Sequence, residues 1–351
     1  AHVGGRYADL AVGHDGRFER AVEVHSCWGT FEWLLFDAFD LGHRVGVVCH
    51  SDDHKGRPGA AYPGAATFGA IGGLTCYALE RLDRQALFAA LRARRHYGTT
   101  GTRLFLDVRA RFPQGAERYA DDPKLGPTTS APCREAVMGE IVASAAAEVA
   151  LQVALHGSAP IERLTVFNGK DVVAVWRPFD APALGRRIRI VMEGAKYRGR
   201  SREIYWKGLL RVEGNRIERA ASFNLFNVDK PLRLALDGSE VGFDTVTTGN
   251  FAGFDLWLEN PDAGGLVFVS DIVEARLEVA AIGLQDSVHP GQGFGVAMRA
   301  FRLPDANDAY RADATFQVPI ARGRDNPLFV RVTQEDGHQA WSSPIYVIDG
   351  H

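Results

Sequence analysis

In the stretch VGVVCHSDDHKGRPG, Val45 to Gly59, an unbroken apolar run ends in acids and imidazoles and then in a glycine–proline turn. A charge left where a buried strand ends must be paired or bound to a metal. Asp52 and His54 form an Asp-x-His unit just past that strand, with an oxygen and a nitrogen donor on the same side of the strand end. Such a pair suits Zn, Mn or Fe. One strand earlier, Glu23 and His25 stand two apart, so alternation puts them on one face of a sheet. At the start of the chain, His2 precedes Val3-Gly4-Gly5, a turn expected to follow another strand end. Three neighbouring strand ends thus offer His2, Glu23 with His25, and Asp52 with His54 as metal ligands.

Each residue alone has an ordinary structural explanation. An aspartate closes turns through its side chain, so Asp52 could do no more than that, and His25 could be a core histidine with both nitrogens satisfied. Asp53 reads as a turn residue or as a partner of a ligand. Lys55 and Arg57 follow in the loop, where a cation could clamp an anionic substrate or simply be solvated. Glu32, in GTFEW, reads first as an acid beside a helix dipole and second as an acceptor for a ligand histidine.

The elements that must position these groups change character near Thr100. Before it, strands AVEVH (21–25) and RVGVVCH (44–50) alternate with helices over TFEWLLFDAFDL (30–41) and DRQALFAALRARRH (83–96). Strand–helix alternation predicts a parallel sheet with ligands at the carboxyl ends of its strands. After Thr100, short alternating strands are punctuated by Gly, Asn, Asp and Pro. In RLTVFNGKDVVAVW, Asn168-Gly169 between two apolar runs is a hairpin signal. The segment 113–134, PQGAERYADDPKLGPTTSAPCR, reads as a linker or long surface loop, which separates residues 1–112 from an all-β region at 135–351 with one or two sandwiches. Trp206, Trp257 and Trp341 in that region read as core rather than as a sugar platform.

With 351 residues and 46% hydrophobic content, the chain can bury a core without staples. Forty Lys and Arg against forty-three Asp and Glu give a net charge of -3, so no global basic field points to nucleic acid or an anionic membrane. A small-molecule partner fits better. Cys27, Cys49, Cys76 and Cys133 are scattered without a C-x-x-C pair and read as free thiols. No apolar run reaches the ~18 residues of a membrane span, and no signal segment opens the chain. Localisation stays open between cytoplasm and periplasm.

The stretches AHVGGRYADL, AVEVHSCWGTFEWLL, RVGVVCHSDDHKGRPGAAYPG and GGLTCYALERLDRQALFAALRARRHYGTTGTR resemble the later half of the PHP (polymerase and histidinol phosphatase) metallohydrolases. They look closest to a bacterial branch of unknown function. DNPLFVRVTQEDGHQAWSSPIYV is similar to the end of the same branch, so the resemblance spans nearly the whole chain. It implies the later half of a distorted (βα)7 barrel over residues 1–112, binding two or three divalent ions in its complete form. By resemblance His2 matches a histidine after a mid-barrel strand, Glu23 the acid of an EV strand, and Asp52 with His54 the final Asp-x-His ligands; His25 has no assigned place. The superfamily's first His-x-His and Asp-His pairs have no counterpart here, so the resemblance implies a fragment, or an enzyme whose N-terminal segment comes as a separate polypeptide.

The expected function is a metal-dependent hydrolase in which a metal-activated water attacks phosphorus or a carbonyl carbon of an anionic or ester substrate. Asp52 and His54 stand as its catalytic residues and Lys55 and Arg57 as its substrate-binding residues. The alternative, from a different class, is a non-catalytic β-sandwich module for ligand binding or docking, carrying a degenerate barrel remnant.

Overall fold

The computed structural model describes residues 1–3, 8–52 and 70–349. Strand β1 (Ala21–Ser26) carries Glu23, His25 and Ser26 among its apolar residues and yet is buried over nearly its whole length, as befits a strand covered on both faces. The short β2 (Gly29–Thr30) pairs with it antiparallel. Helix α1 (Glu32–Asp40) then crosses to β3 (Gly46–Cys49), which returns parallel to β1. The apolar stripe of α1, Trp33, Leu34, Leu35 and Ala38, is buried. These strands form a three-stranded sheet in the order β2-β1-β3.

The next helix behaves differently. Strand β4 (Leu74–Tyr77) leads to α2 (Arg84–Arg92), whose first turn is capped by the Asp83 side chain accepting from the Ala86 N–H at 2.8 Å. Strand β5 (His96–Thr99) follows, pairs antiparallel with β4, and takes the strand Gln339–Ser342 as its other neighbour. Helix α2 is therefore an excursion at the edge of a large sheet, not a crossover between parallel strands.

The expectation of an α/β class with the later half of a PHP-like (βα)7 barrel is corrected accordingly. Among the described residues there are two α-helices and 25 strands, arranged in sheets of three, twelve, five and five strands, and no barrel. A βα barrel needs each helix to return the chain to a parallel neighbour. Here only α1 does so.

Residues 113–134, by composition a linker or loop, hold the end of the strand Phe105–Tyr119, a 3-10 turn at Pro123–Leu125 and the start of Ser130–Val137. The two strands pair antiparallel from Arg109 opposite Val137 to Tyr119 opposite Ser130. At the predicted hairpin, Asn168 lies opposite Asp171, and Gly169 takes the positive φ of 64° that the tight turn requires. The two five-stranded sheets face each other across Trp206, Phe243, Phe254 and Phe268, all fully buried.

A charged seam joins the twelve-stranded sheet to this sandwich. Glu162, on the strand Ile161–Asn168, accepts from Arg189 Nη1 at 2.7 Å and from Arg163 Nε at 2.6 Å, with Arg177 Nη1 at 3.5 Å. Arg189, on the strand Arg187–Ala195 of the sandwich, also donates through Nε to Asp255 Oδ1 at 2.7 Å and through Nη2 to Asp255 Oδ2 at 2.9 Å. Burying such charges is tolerable only because each guanidinium finds carboxylate oxygens in good geometry.

Candidate functional site

The carboxyl ends of β1 and β3 lie side by side because the two strands are parallel. The N-terminal residues run along β1, with the Glu23 N–H donating to the Ala1 carbonyl at 2.8 Å, and this places His2 over Glu23. One carboxylate oxygen of Glu23 meets His2 Nδ1 at 2.6 Å, and the other meets His50 Nδ1 at 2.8 Å. The other ring nitrogen of His2, Nε2, lies 3.6 Å from Asp52 Oδ2. Glu23 is buried while His2 and His50 keep solvent access. Burial alone would push the Glu23 carboxyl up, but the hydrogen bonds and charges of His50 and His2 hold it below the usual carboxylate value.

Asp52 ends this strand pair with a φ of 46°, a left-handed backbone that aspartate tolerates better than most residues. Its carbonyl accepts from Trp28 Nε1 and from Cys27 Sγ, both at 3.2 Å. Such strain persists where the surroundings over-determine it, and it clusters at functional sites. Arg200 comes from the sandwich: its Nη1 lies 3.9 Å from Asp52 Oδ2, and its guanidinium sits 4.4 Å over the Trp28 ring. Its neighbour Arg198 anchors the same loop on α1, donating to Asp37 at 2.9 Å and lying over Trp33.

The structure thus brings His2, Glu23 and Asp52 together. It gives His25 a separate place, because the β1–β3 register slips between Glu23 and His25. His25 is fully buried, with Nε2 2.7 Å from the Ile71 carbonyl and Nδ1 2.8 Å from Thr30 Oγ1. A carbonyl only accepts, so Nε2 carries the proton and Nδ1 takes the Thr30 hydroxyl. No lone pair is left for a metal, and burial pushes the imidazole down to about 4. His25 is a satisfied core histidine. Glu23, with one imidazole on each oxygen, orients the ring nitrogens of both His2 and His50. Glu32 accepts from Trp341 Nε1 at 2.8 Å and Arg331 Nη1 at 2.7 Å, tying α1 to the large sheet. Asp53, His54, Lys55 and Arg57 lie outside the described residues.

Among the described residues, no group of three or more His, Cys, Asp or Glu side chains is arranged to hold a metal ion. The nearest approach is the His2–Asp52 pair. Its 3.6 Å separation compares with the ~3.4 Å between two donors of a tetrahedral ion with bonds of ~2.1 Å. A histidine whose far nitrogen is fixed by a carboxylate is also the usual state of a metal-bound imidazole. The donor set therefore fits a divalent ion as a pair and needs further ligands.

Sequence reasoning missed His50 and Arg200. His50 closes the same apolar run that carries Asp52, and its alternation with Asp52 was a usable signal. Arg200 belongs to a basic cluster, KYRGRSR at 196–202, whose docking on Trp28 no local pattern announces.

The chain matches no family model, no curated protein and no solved structure. With no family match and no barrel, the resemblance to PHP metallohydrolases is withdrawn, and the ligand roles it implied rest on the geometry above alone.

Proposed function

We propose that the side-chain cluster at the ends of β1 and β3 is the centre of a metal-dependent hydrolase acting on a small anionic or ester substrate. The observation that carries this reading is the relay Glu23–His2–Asp52: a buried carboxylate fixes one imidazole nitrogen at 2.6 Å, and the opposite nitrogen faces a second carboxylate at 3.6 Å. His2 Nε2 and Asp52 Oδ2 would hold the ion, with His54, two residues further along the chain, as a third donor on sequence grounds. A divalent ion such as Zn, Mn or Fe supplies a water acidified enough to act as nucleophile and a positive charge for the oxygen that develops one.

The chain's own residues do the rest. Glu23 accepts the Nδ1 proton of His2, which fixes the tautomer with a lone pair on Nε2. His50, on the other oxygen of Glu23 and half exposed, steadies that carboxylate from the solvent side. Arg200, fixed over Trp28, offers its guanidinium to an anionic group beside Asp52, the role that sequence reasoning gave to Lys55 and Arg57.

The test is metal content and hydrolysis together. The full chain, dialysed against Zn²⁺ or Mn²⁺, is expected to retain metal by mass spectrometry and to cleave a chromogenic phosphodiester or carboxylic ester. Asp52→Asn and His2→Ala should each lose the metal and at least ~100-fold in kcat/KM, since second-shell changes alone cost 10–100-fold. Glu23→Gln should keep part of both. A chain that retains no metal under either condition, while a glycan or protein ligand binds its β region, establishes the docking module instead.

A further inference from the structure

A second constellation lies at the opposite end of the β1–β3 pair. Arg94, just beyond α2, has a φ of 58°, a left-handed backbone that residues other than glycine adopt rarely. It is packed against the start of β3: a Cβ on Gly46 would lie 2.9 Å from the Arg94 Cβ. The residue is only 4% exposed. Its Nε donates to the Gly139 carbonyl at 2.9 Å, whereas its buried Nη1 has no hydrogen-bond partner and, among the described residues, no carboxylate forms an ion pair with it. Arg20, close by, is different, with Nη1 and Nη2 on Asp121 at 2.5 and 3.0 Å. Asp121 and Asp122 act on Arg94 only at longer range, and a buried guanidinium with no carboxylate in contact is costly unless something supplies one.

Arg94 lines a cavity of about 280 Å³ together with Arg95, Arg118, Thr129, Ser130 and Glu140. Its lining includes three arginines and one glutamate. Glu140 Oε1 is shared between Arg95 at 3.1 Å and Arg118 at 3.4 Å, and its Oε2 is taken by the Val137 N–H at 3.0 Å. The lining is therefore left with an excess of about two positive charges, with hydroxyls beside them. A carboxylate ligand would neutralise half of that excess; a phosphate, with a charge of about −1.5 to −2 and three acceptor oxygens, matches it. The volume lies just below the ~300–1,000 Å³ of small-molecule sites, which suits a small ligand.

We propose that this cavity binds the phosphate group of a small molecule, with Arg94 and Arg118 as its charge partners. The site is separate from the His2–Asp52 pair and does not depend on the function proposed for it. Isothermal titration of the full chain at low ionic strength, where exposed charges are least screened, uses inorganic phosphate in one arm and glycerol 3-phosphate in the other. Saturable binding is expected, weakened at least tenfold by Arg118→Gln and abolished by Arg94→Gln, and unchanged by Arg276→Gln at an exposed pair with Glu213 in the sandwich. Arg118 is half exposed, so its variant reads out binding even if the Arg94 variant fails to fold. Equal affinity in the two arms identifies free phosphate as sufficient; preference for the ester identifies a phosphorylated metabolite. No saturation by about 10 mM of either probe, a Kd that corresponds to less than ~3 kcal/mol of binding, overturns the proposal. So does saturable binding that Arg118→Gln leaves intact.

Discussion

Replacing Glu162 with glutamine tests the charged seam that joins the large sheet to the sandwich. Burial would push this carboxyl up, but the guanidiniums of Arg163, Arg189 and Arg177 override that and hold it down at about 2, against an ordinary value of 4.5. At neutral pH that difference corresponds to about 3 kcal/mol of folding stability. The folded value is depressed, so this contribution is complete above about pH 4.5 and is lost as pH falls from there towards 2. In Glu162→Gln the Arg189 fork keeps Asp255, which Arg187 already shares, and Arg177 loses the carboxylate 3.5 Å from its Nη1. Breaking a buried pair from one side costs about 3–5 kcal/mol. Unfolding should be driven by urea, which leaves ion pairs unscreened, and followed by tryptophan fluorescence. The variant should fall short of the wild type by about 3–5 kcal/mol at pH 7. At pH 2.5 the charge-dependent part of that gap should have shrunk to about 1 kcal/mol. A gap that is the same at both pH values, or absent at pH 7, would refute the electrostatic account of the seam.

Two further outcomes follow from groups that the fold holds tightly. His25 and His96 are both pushed down to about 4 by burial, so the folded chain should lose stability as pH drops from 6.5 to 4, and His25→Gln should remove about half of that loss while leaving metal retention unchanged. A flat wild-type profile across that window, or a His25 variant stripped of metal, contradicts the placement of this residue. Gly46→Ala should destabilise by about 1–3 kcal/mol, because its new methyl would sit 2.8 Å from His96 Cε1 and 2.9 Å from Ser343 Oγ; a thermal shift within error of zero would show that this packing relaxes freely.

What could be read from the sequence was whatever local periodicity decides. The strand AVEVH, the strand core of RVGVVCH and the helix within TFEWLLFDAFDL were legible because apolar residues recur at the spacing each element needs. The hairpin at Asn168-Gly169 was legible because a tight turn has its own chemistry. Glu23 and Asp52 were read as neighbours because β1 and β3 are adjacent parallel strands; His2 joins them by another route than the strand end expected for it, since residues 1–3 form no strand and lie along β1 through the Ala1 carbonyl. His25 was misread for a comparable local reason: strict alternation puts it on the face of Glu23, and a single register slip in β1 sends it to Thr30 and Ile71 instead. Alternation assumes an unbroken ladder, and bulges leave little trace in composition.

The larger error arose at DRQALFAALRARRH. Its apolar positions do make a helix, but the helix stops at Arg92, and the residues expected to finish it do other work: Arg94 turns left-handed, and His96 opens β5. A strand that follows a helix invites the inference of a parallel crossover, yet β5 is decided by its partners, β4 on one side and Gln339–Ser342 on the other. The second partner lies some 240 residues away in the chain, so no window around β5 contains the information. The same long-range closure explains why the site was only half visible. His2, Glu23 and Asp52 come from one local unit, whereas Arg200 reaches Asp52 only because a loop of the sandwich docks on Trp28 and Trp33. On the proposed function, a substrate would therefore meet residues from both parts of the chain, and loosening Arg198 from Asp37 should weaken binding of an anionic substrate before it disturbs the Glu23–His2 pair.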